Sequence, residues 1–164
     1  MSAARARGRR IAERATEAVV TRVTVPLLYR HVSQGRSWLV IAMCAPDVAN
    51  SAAGNSCLGG YRVGRRSYRD WFDRMFRLTR SVRPTAESVR VTGTLAKGTV
   101  DVEFSDPVVS PDGQVFLNHG HHLFALRNGR IAAVELAWDP RIAQSCCEHT
   151  AALGRSEALA LPLG

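Results

Sequence analysis

A chain of 164 residues that is 46% hydrophobic suits one domain with a real core and room for an enclosed pocket, and is too short for two comfortable domains. No apolar run approaches the ~20 residues of a membrane-spanning helix, and the Arg-rich start lacks the apolar stretch of a secretory signal, so a soluble, cytoplasmic protein without membrane association is expected. The net charge of +8 is almost wholly arginine spread along the chain, with Lys97 the only lysine; without a basic block interleaved with aromatics it reads as compositional bias and argues against nucleic-acid binding.

In chain order, residues 1–10 read as a basic flexible tail, 11–153 as the single domain and 154–164 as a loose C-terminal tail. Over 11–33 the helical spacing of Ile11, Ala15, Ala18, Val19, Val23, Leu27, Leu28 and Val32 predicts two helices, or one kinked at Pro26. Ser37 to Cys44 predicts a short helix presenting Trp38, Ile41 and Ala42 to the core, and the small-residue stretch 49–60 predicts a loop or weak strand. Arg66 to Arg80 is an amphipathic helix with Tyr68, Trp71, Phe72, Met75, Phe76 and Leu78 on one stripe.

After Pro84 the period changes to two. Ser88 to Leu95 and Thr99 to Phe104 predict strands, the second with Val100, Val102 and Phe104 on one side. Val115 to Asp139 predicts a long hairpin turning at Asn128-Gly129, a pair that supplies the positive φ of a tight turn. On its first arm Asn118, Gly120, His122, Phe124 and Leu126 share one face, with His119, His121, Leu123 and Ala125 on the other; on its second arm Val134, Leu136 and Trp138 oppose Ile131, Ala133, Glu135 and Ala137. Residues 141–153 predict a terminal helix. Helices followed by a strand meander indicate an α+β fold, with helices on one face of a curved, mostly antiparallel sheet. Cys44, Cys57, Cys146 and Cys147 lack metal-site spacing and read as reduced, packed thiols.

Three stretches, LYRHVSQGRSWLVIAMCAPDV (Leu28 to Val48), GRRSYRDWFDRMF (Gly64 to Phe76) and HLFALRNGRIAAVELAWD (His122 to Asp139), resemble in order and spacing the helix pair, third helix and final hairpin of SnoaL-like polyketide cyclases. These belong to the nuclear transport factor 2-like superfamily, with ketosteroid isomerases and scytalone dehydratase. The resemblance implies a cone-shaped domain whose helices and curved sheet enclose a pocket, commonly a homodimer through the outer sheet face. By it, His122 occupies the pocket-histidine position of the cyclases, while their base aspartate falls at Leu136. The isomerase tyrosine and its two acids fall near Leu28, Ala52 and His122, and the dehydratase tyrosine and aspartate near Ser33 and Gln34.

The catalytic residues expected from these readings are His122, Asp139 and Asn118. An imidazole has a pKa suited to proton transfer near neutral pH, Asp139 would reach in from the rim or else cap the next helix, and Asn118 would bind a carbonyl oxygen or make a structural hydrogen bond. Tyr29, Tyr68, Trp71, Phe72, Phe124, Leu136 and Trp138 are the expected substrate-binding wall. Asn50, Asn55 and Tyr61 are further residues within reach of a pocket mouth. His119 and His121 form an H-x-H pair without a definite third ligand, so no metal is expected, and no cofactor. The expected activity is cofactor-independent acid-base chemistry, as in a cyclase, dehydratase or isomerase, on a hydrophobic carbonyl compound such as a polyketide intermediate. The alternatives are a non-catalytic small-molecule-binding or dimerisation module, and an epoxide hydrolase using Asp101 and Asp139 with an arginine.

Overall fold

The computed structural model describes residues 3–164. Among them, helix α1 (Ala3–Val19) runs through most of the stretch expected to be a tail, of which residues 1–2 lie outside the described residues. One π-helical turn (Val20–Thr24) joins α1 to α2 (Val25–Ser33). The turn has a local cause. Pro26 has no N–H and its ring would press on the carbonyl four residues back, and widening the preceding turn lets Val25 N–H reach the Val20 carbonyl instead. The buried face is the expected one only in α2, where Leu28 is buried and Val32 packs on the core; Ile11, Val19, Val23 and Leu27 are exposed, and Thr16, Val20, Val25 and Tyr29 face inward instead. Helix α3 (Trp38–Met43) likewise buries Val40 and Ile41 and leaves Trp38 outside.

The sheet has six strands in the order β2-β1-β6-β5-β4-β3. Of the stretch 49–60, expected as a loop or weak strand, strand β1 (Cys44–Ala52) takes in 49–52 and strand β2 (Gly60–Val63) begins at its last residue, with 53–59 forming the loop between them. β1 has little β propensity, yet it lies between β6, to which it is parallel, and β2, to which it is antiparallel. Pairing on both sides overrides the propensity of its small residues. Helix α4 (Arg65–Leu78) turns Tyr68, Trp71, Phe72, Met75 and Leu78 into the core across the sheet's inner face. β3 (Thr85–Gly93), β4 (Lys97–Val109), β5 (Val115–Arg127) and β6 (Arg130–Trp138) form an antiparallel meander. Asn128 and Gly129 turn the last hairpin with φ of 52° and 73°. A bulge between Ala125 and Leu126 breaks the alternation of β6, so Ile131, expected on the outer face, is buried in the core. Asp139 caps α5 (Pro140–Ala152).

Two features fix the sheet around the site. Gly120, opposite Trp138, leaves no space for a side chain: a Cβ there would meet the Ala137 carbonyl and lie 2.8 Å from Trp138 Cα. Gly120→Ala is therefore expected to lower stability by about 1–3 kcal/mol, the usual cost of overpacking, measured as a lower denaturant midpoint; an unchanged midpoint would contradict the close packing. The C-terminal segment is not loose. Ala158 is buried, and the carbonyls of Leu161 and Leu163 accept hydrogen bonds from the inward-pointing Arg74 and Arg62. No helix among the described residues is long and apolar enough to cross a membrane.

Candidate functional site

Between α2, α3, α4 and the inner sheet face lies a cavity of about 70 Å³. At ~10–15 Å³ per water-sized sphere it holds about half a dozen heavy atoms, the size of a single ring. α2 contributes Leu28 and Tyr29, and α4 contributes Tyr68, Trp71 and Phe72; β5 and β6 supply His122, Phe124, Leu136 and Trp138. All seven residues of the expected binding wall thus meet around one space. The two indoles are anchored: Trp71 Nε1 donates to the Leu58 carbonyl at 2.8 Å and Trp138 Nε1 to the Ala53 carbonyl at 2.9 Å, and their rings stack 6.2 Å apart. Both indole N–H groups are thus satisfied by backbone carbonyls.

Besides the Tyr68 phenol, three polar residues interrupt this apolar lining. Tyr29 Oη and His122 Nδ1 share a hydrogen bond of 2.8 Å, and the imidazole stacks on Phe104 with ring centres 3.9 Å apart. The third is Asp106 on β4, which the sequence reading does not single out; its Oδ1 accepts from Arg83 N–H at 2.6 Å. Burial reverses the expected proton roles. It holds His122 down at about 3, so the ring is neutral at physiological pH and too weak a base for the role expected of it. It pushes the Asp106 carboxyl up to about 6, the more so because only one backbone N–H offsets the lost hydration. The Tyr29 phenol is driven above its ordinary range by burial and by the nearby Asp106 charge, so it remains a protonated donor.

The other expected residues lie elsewhere. Asp139 does not reach the cavity: its carboxylate accepts from Arg141 N–H at 2.9 Å and pairs with the Arg141 guanidinium at 2.8 Å, which holds its pKa low. Asn118, directly across from Asp106 in the β4–β5 ladder, lines a second cavity of about 40 Å³ that Asp106 and Trp138 also border. Its amide oxygen is buried with no partner among the described residues. His119 is exposed, and His121 bonds Asp101 at 2.6 Å on the outer face. Asp101 and Asp139 thus do not assemble with an arginine into one site. Asn50 is fully buried, bonded to Arg62 and away from the cavity, and Tyr61 is exposed.

The SnoaL-like domain family matches residues 27–134. No curated protein matches the chain. Among solved structures, a protein of unknown function from Mycobacterium tuberculosis superposes with TM-score 0.65 at 15% identity, over 94% of this chain and 97% of its own. An NTF2-like protein of unknown function from Burkholderia pseudomallei gives 0.62 at 18% identity, over 84% and 95%. A hypothetical protein of ketosteroid isomerase-like fold from Catenulispora acidiphila, in complex with trimethylamine, gives 0.58 at 15% identity, over 68% and 81%. At these identities the likenesses concern the fold.

Proposed function

The chain belongs to the SnoaL-like domain family, and on that premise we propose that it is a cofactor-independent acid-base enzyme that enolises a hydrophobic carbonyl compound in the cavity between α4 and the sheet. The observation that carries this reading is Asp106: a buried carboxyl at about 6 in an apolar cavity, beside a phenol that stays protonated. A carboxylate of that pKa is a far better base at neutral pH than an ordinary one, and the dry wall spares it competition from water.

Asp106 takes the proton from the carbon next to the substrate carbonyl. Tyr29 donates its hydroxyl hydrogen to the carbonyl oxygen as that oxygen gains negative charge, and His122 Nδ1–H donates to the Tyr29 oxygen and fixes its direction. The resulting enolate is common to isomerisation, to aldol-type cyclisation and to loss of a β-hydroxyl, so one constellation serves the cyclase, isomerase and dehydratase outcomes. The cavity admits one ring or a short acyclic segment; a polyketide intermediate would insert its reacting end and leave the remainder outside.

Tyr29→Phe removes the donor and keeps the shape. It is expected to lower kcat on the order of 10²-fold with little change in KM. His122→Gln, which can still donate toward Tyr29, should cost less than Tyr29→Phe; a larger loss would return the proton-transfer role to the imidazole. The assay is deuterium exchange at the α-carbon of small cyclic and aromatic ketones, read by NMR. Saturable binding of such ketones with no exchange above the buffer rate would leave a binding module. The outer sheet face, where Tyr61 and Leu117 are exposed, is the surface proposed for pairing with a second copy, tested by sedimentation.

A further inference from the structure

We propose that Cys57 and Cys147 form a thiol pair that hydrogen peroxide closes into a disulfide within the folded chain. The two residues are 90 positions apart in sequence and on different parts of the fold, Cys57 in the connection between β1 and β2 and Cys147 on α5, yet their Sγ atoms lie 2.9 Å apart in the core. A disulfide bond is about 2.05 Å long, so closure asks for a displacement of less than about 1 Å. Both residues are buried, at 1% and 4% exposure, which shuts out bulky thiols and disulfides and favours an oxidant scarcely larger than water.

The surroundings distinguish the two sulfurs. The contact with the Cys57 thiol, 2.9 Å away, holds the Cys147 thiol below its ordinary range despite burial. Cys57 is pushed the other way by giving its proton to that bond and by burial. Cys147 is thus the sulfur that ionises and attacks, and Cys57 the one that resolves. The other two thiols are placed differently, Cys44 donating to the Val40 carbonyl at 3.2 Å and Cys146 lining the second cavity.

The chemistry balances with peroxide as the only co-reactant. Cys147 thiolate attacks one peroxide oxygen, the O–O bond breaks, and hydroxide leaves, taking up a proton to become water, with a sulfenic acid on Cys147. The Cys57 sulfur then attacks the Cys147 sulfur; the S–O bond breaks, and hydroxide departs with the Cys57 proton as a second water. Two thiols are oxidised to one disulfide and one peroxide is reduced to two waters. The bridge would fasten α5 to the connection whose Cys57 and Leu58 carbonyls are held by Arg74 and Trp71 of α4, behind the cavity wall.

The test is to treat the folded full-length protein with hydrogen peroxide, quench, alkylate under denaturing conditions and map the peptides by mass spectrometry. Expected are an intact-mass loss of about 2 Da, a single bridge between Cys57 and Cys147, alkylation of Cys44 and Cys146 alone, and full reversal by reductant. Cys57→Ser should stop at a dimedone-trappable sulfenic acid on Cys147, and Cys147→Ser should leave Cys57 unoxidised. Four alkylated thiols after peroxide treatment, a bridge through Cys146, or bridging only once denaturant is present would each overturn the proposal. The result is independent of enolisation activity.

Discussion

Asp106→Asn is expected to abolish turnover, with a loss of 10²–10⁴-fold in kcat, the range that a positioned general base contributes, while ligand affinity and fold are kept. The substitution is nearly isosteric, and the amide oxygen it introduces can still accept from Arg83 N–H. In the native enzyme the ionised carboxylate is the active form, so kcat should rise with pH through an apparent pKa of about 6 and level above it. The limb should vanish from the residual rate of the variant. Retention of more than about a tenth of native exchange would assign the base elsewhere and end the reading of this cavity as an Asp106 site.

The same group makes the variant more stable than the native chain. Folded, Asp106 keeps its proton up to about pH 6, whereas its ordinary value is 3.8; the protonated form therefore favours the folded state. That contribution is full below pH 3.8 and is lost as pH rises through 6, a swing of about 3 kcal/mol. His122 acts in the opposite direction. Its pKa falls from 6.5 to about 3 on folding, so its contribution is present above pH 6.5 and is lost as pH falls toward 3. Above pH 7 His122 is neutral in both states and no longer offsets Asp106. There Asp106→Asn should unfold at higher denaturant concentration, by on the order of 1–3 kcal/mol. A dead but stabilised variant is the signature of a residue held against its own solvation preference for the sake of chemistry.

The fold was legible in the sequence wherever one face of an element is buried and the period is regular: the aromatic stripe of α4, the Asn128-Gly129 hairpin, and the parity that sets His122, Phe124, Leu136 and Trp138 inward. It failed where tertiary pairing overrode local preference. β1 has no strand-like composition and owes its conformation to β2 and β6. Asp106 had a readable signal, since it follows Val100, Val102 and Phe104 at the same two-residue step. A proline at 107 argues by composition for ending the strand before it, but β3 pairing stops at Ser105, so the missing N–H costs no ladder bond on that side. The proton roles were not legible at all. Composition places a histidine near neutrality and an aspartate far below it, and only burial in the folded chain exchanges them.

Ending the chain at Ala160 should be strongly damaging although it removes no residue that lines the cavity, only a short segment whose Leu163 packs on the core edge. Arg62 is 1% exposed and no carboxylate pairs with it among the described residues. Its guanidinium gives hydrogen bonds to Asn50 Oδ1 and the Gly59 and Leu163 carbonyls, and lies 5.5 Å from the centre of the Trp71 ring. Burial lowers it to about 10, a sign that its hydration is incompletely replaced. Arg74 donates to the carbonyls of Cys57 at 3.0 Å and Leu161 at 2.9 Å. Hydrogen bonds to charged groups contribute ~1.5–3 kcal/mol each, so deleting residues 161–164 removes two acceptors at a cost of roughly 3–5 kcal/mol. Leu161→Ala is the matched control: it keeps the carbonyl and trims a side chain that is 84% exposed, so it should shift stability by less than about 0.5 kcal/mol. Equal denaturant midpoints for the truncated and full chains would show that water replaces both carbonyls freely. A loss in the truncation exceeding that of Leu161→Ala and Leu163→Ala combined would identify the C-terminal carbonyls as partners of two buried guanidiniums, Arg74, which also pairs with Glu157 at 3.6 Å, and Arg62, which lies over the indole that walls the cavity.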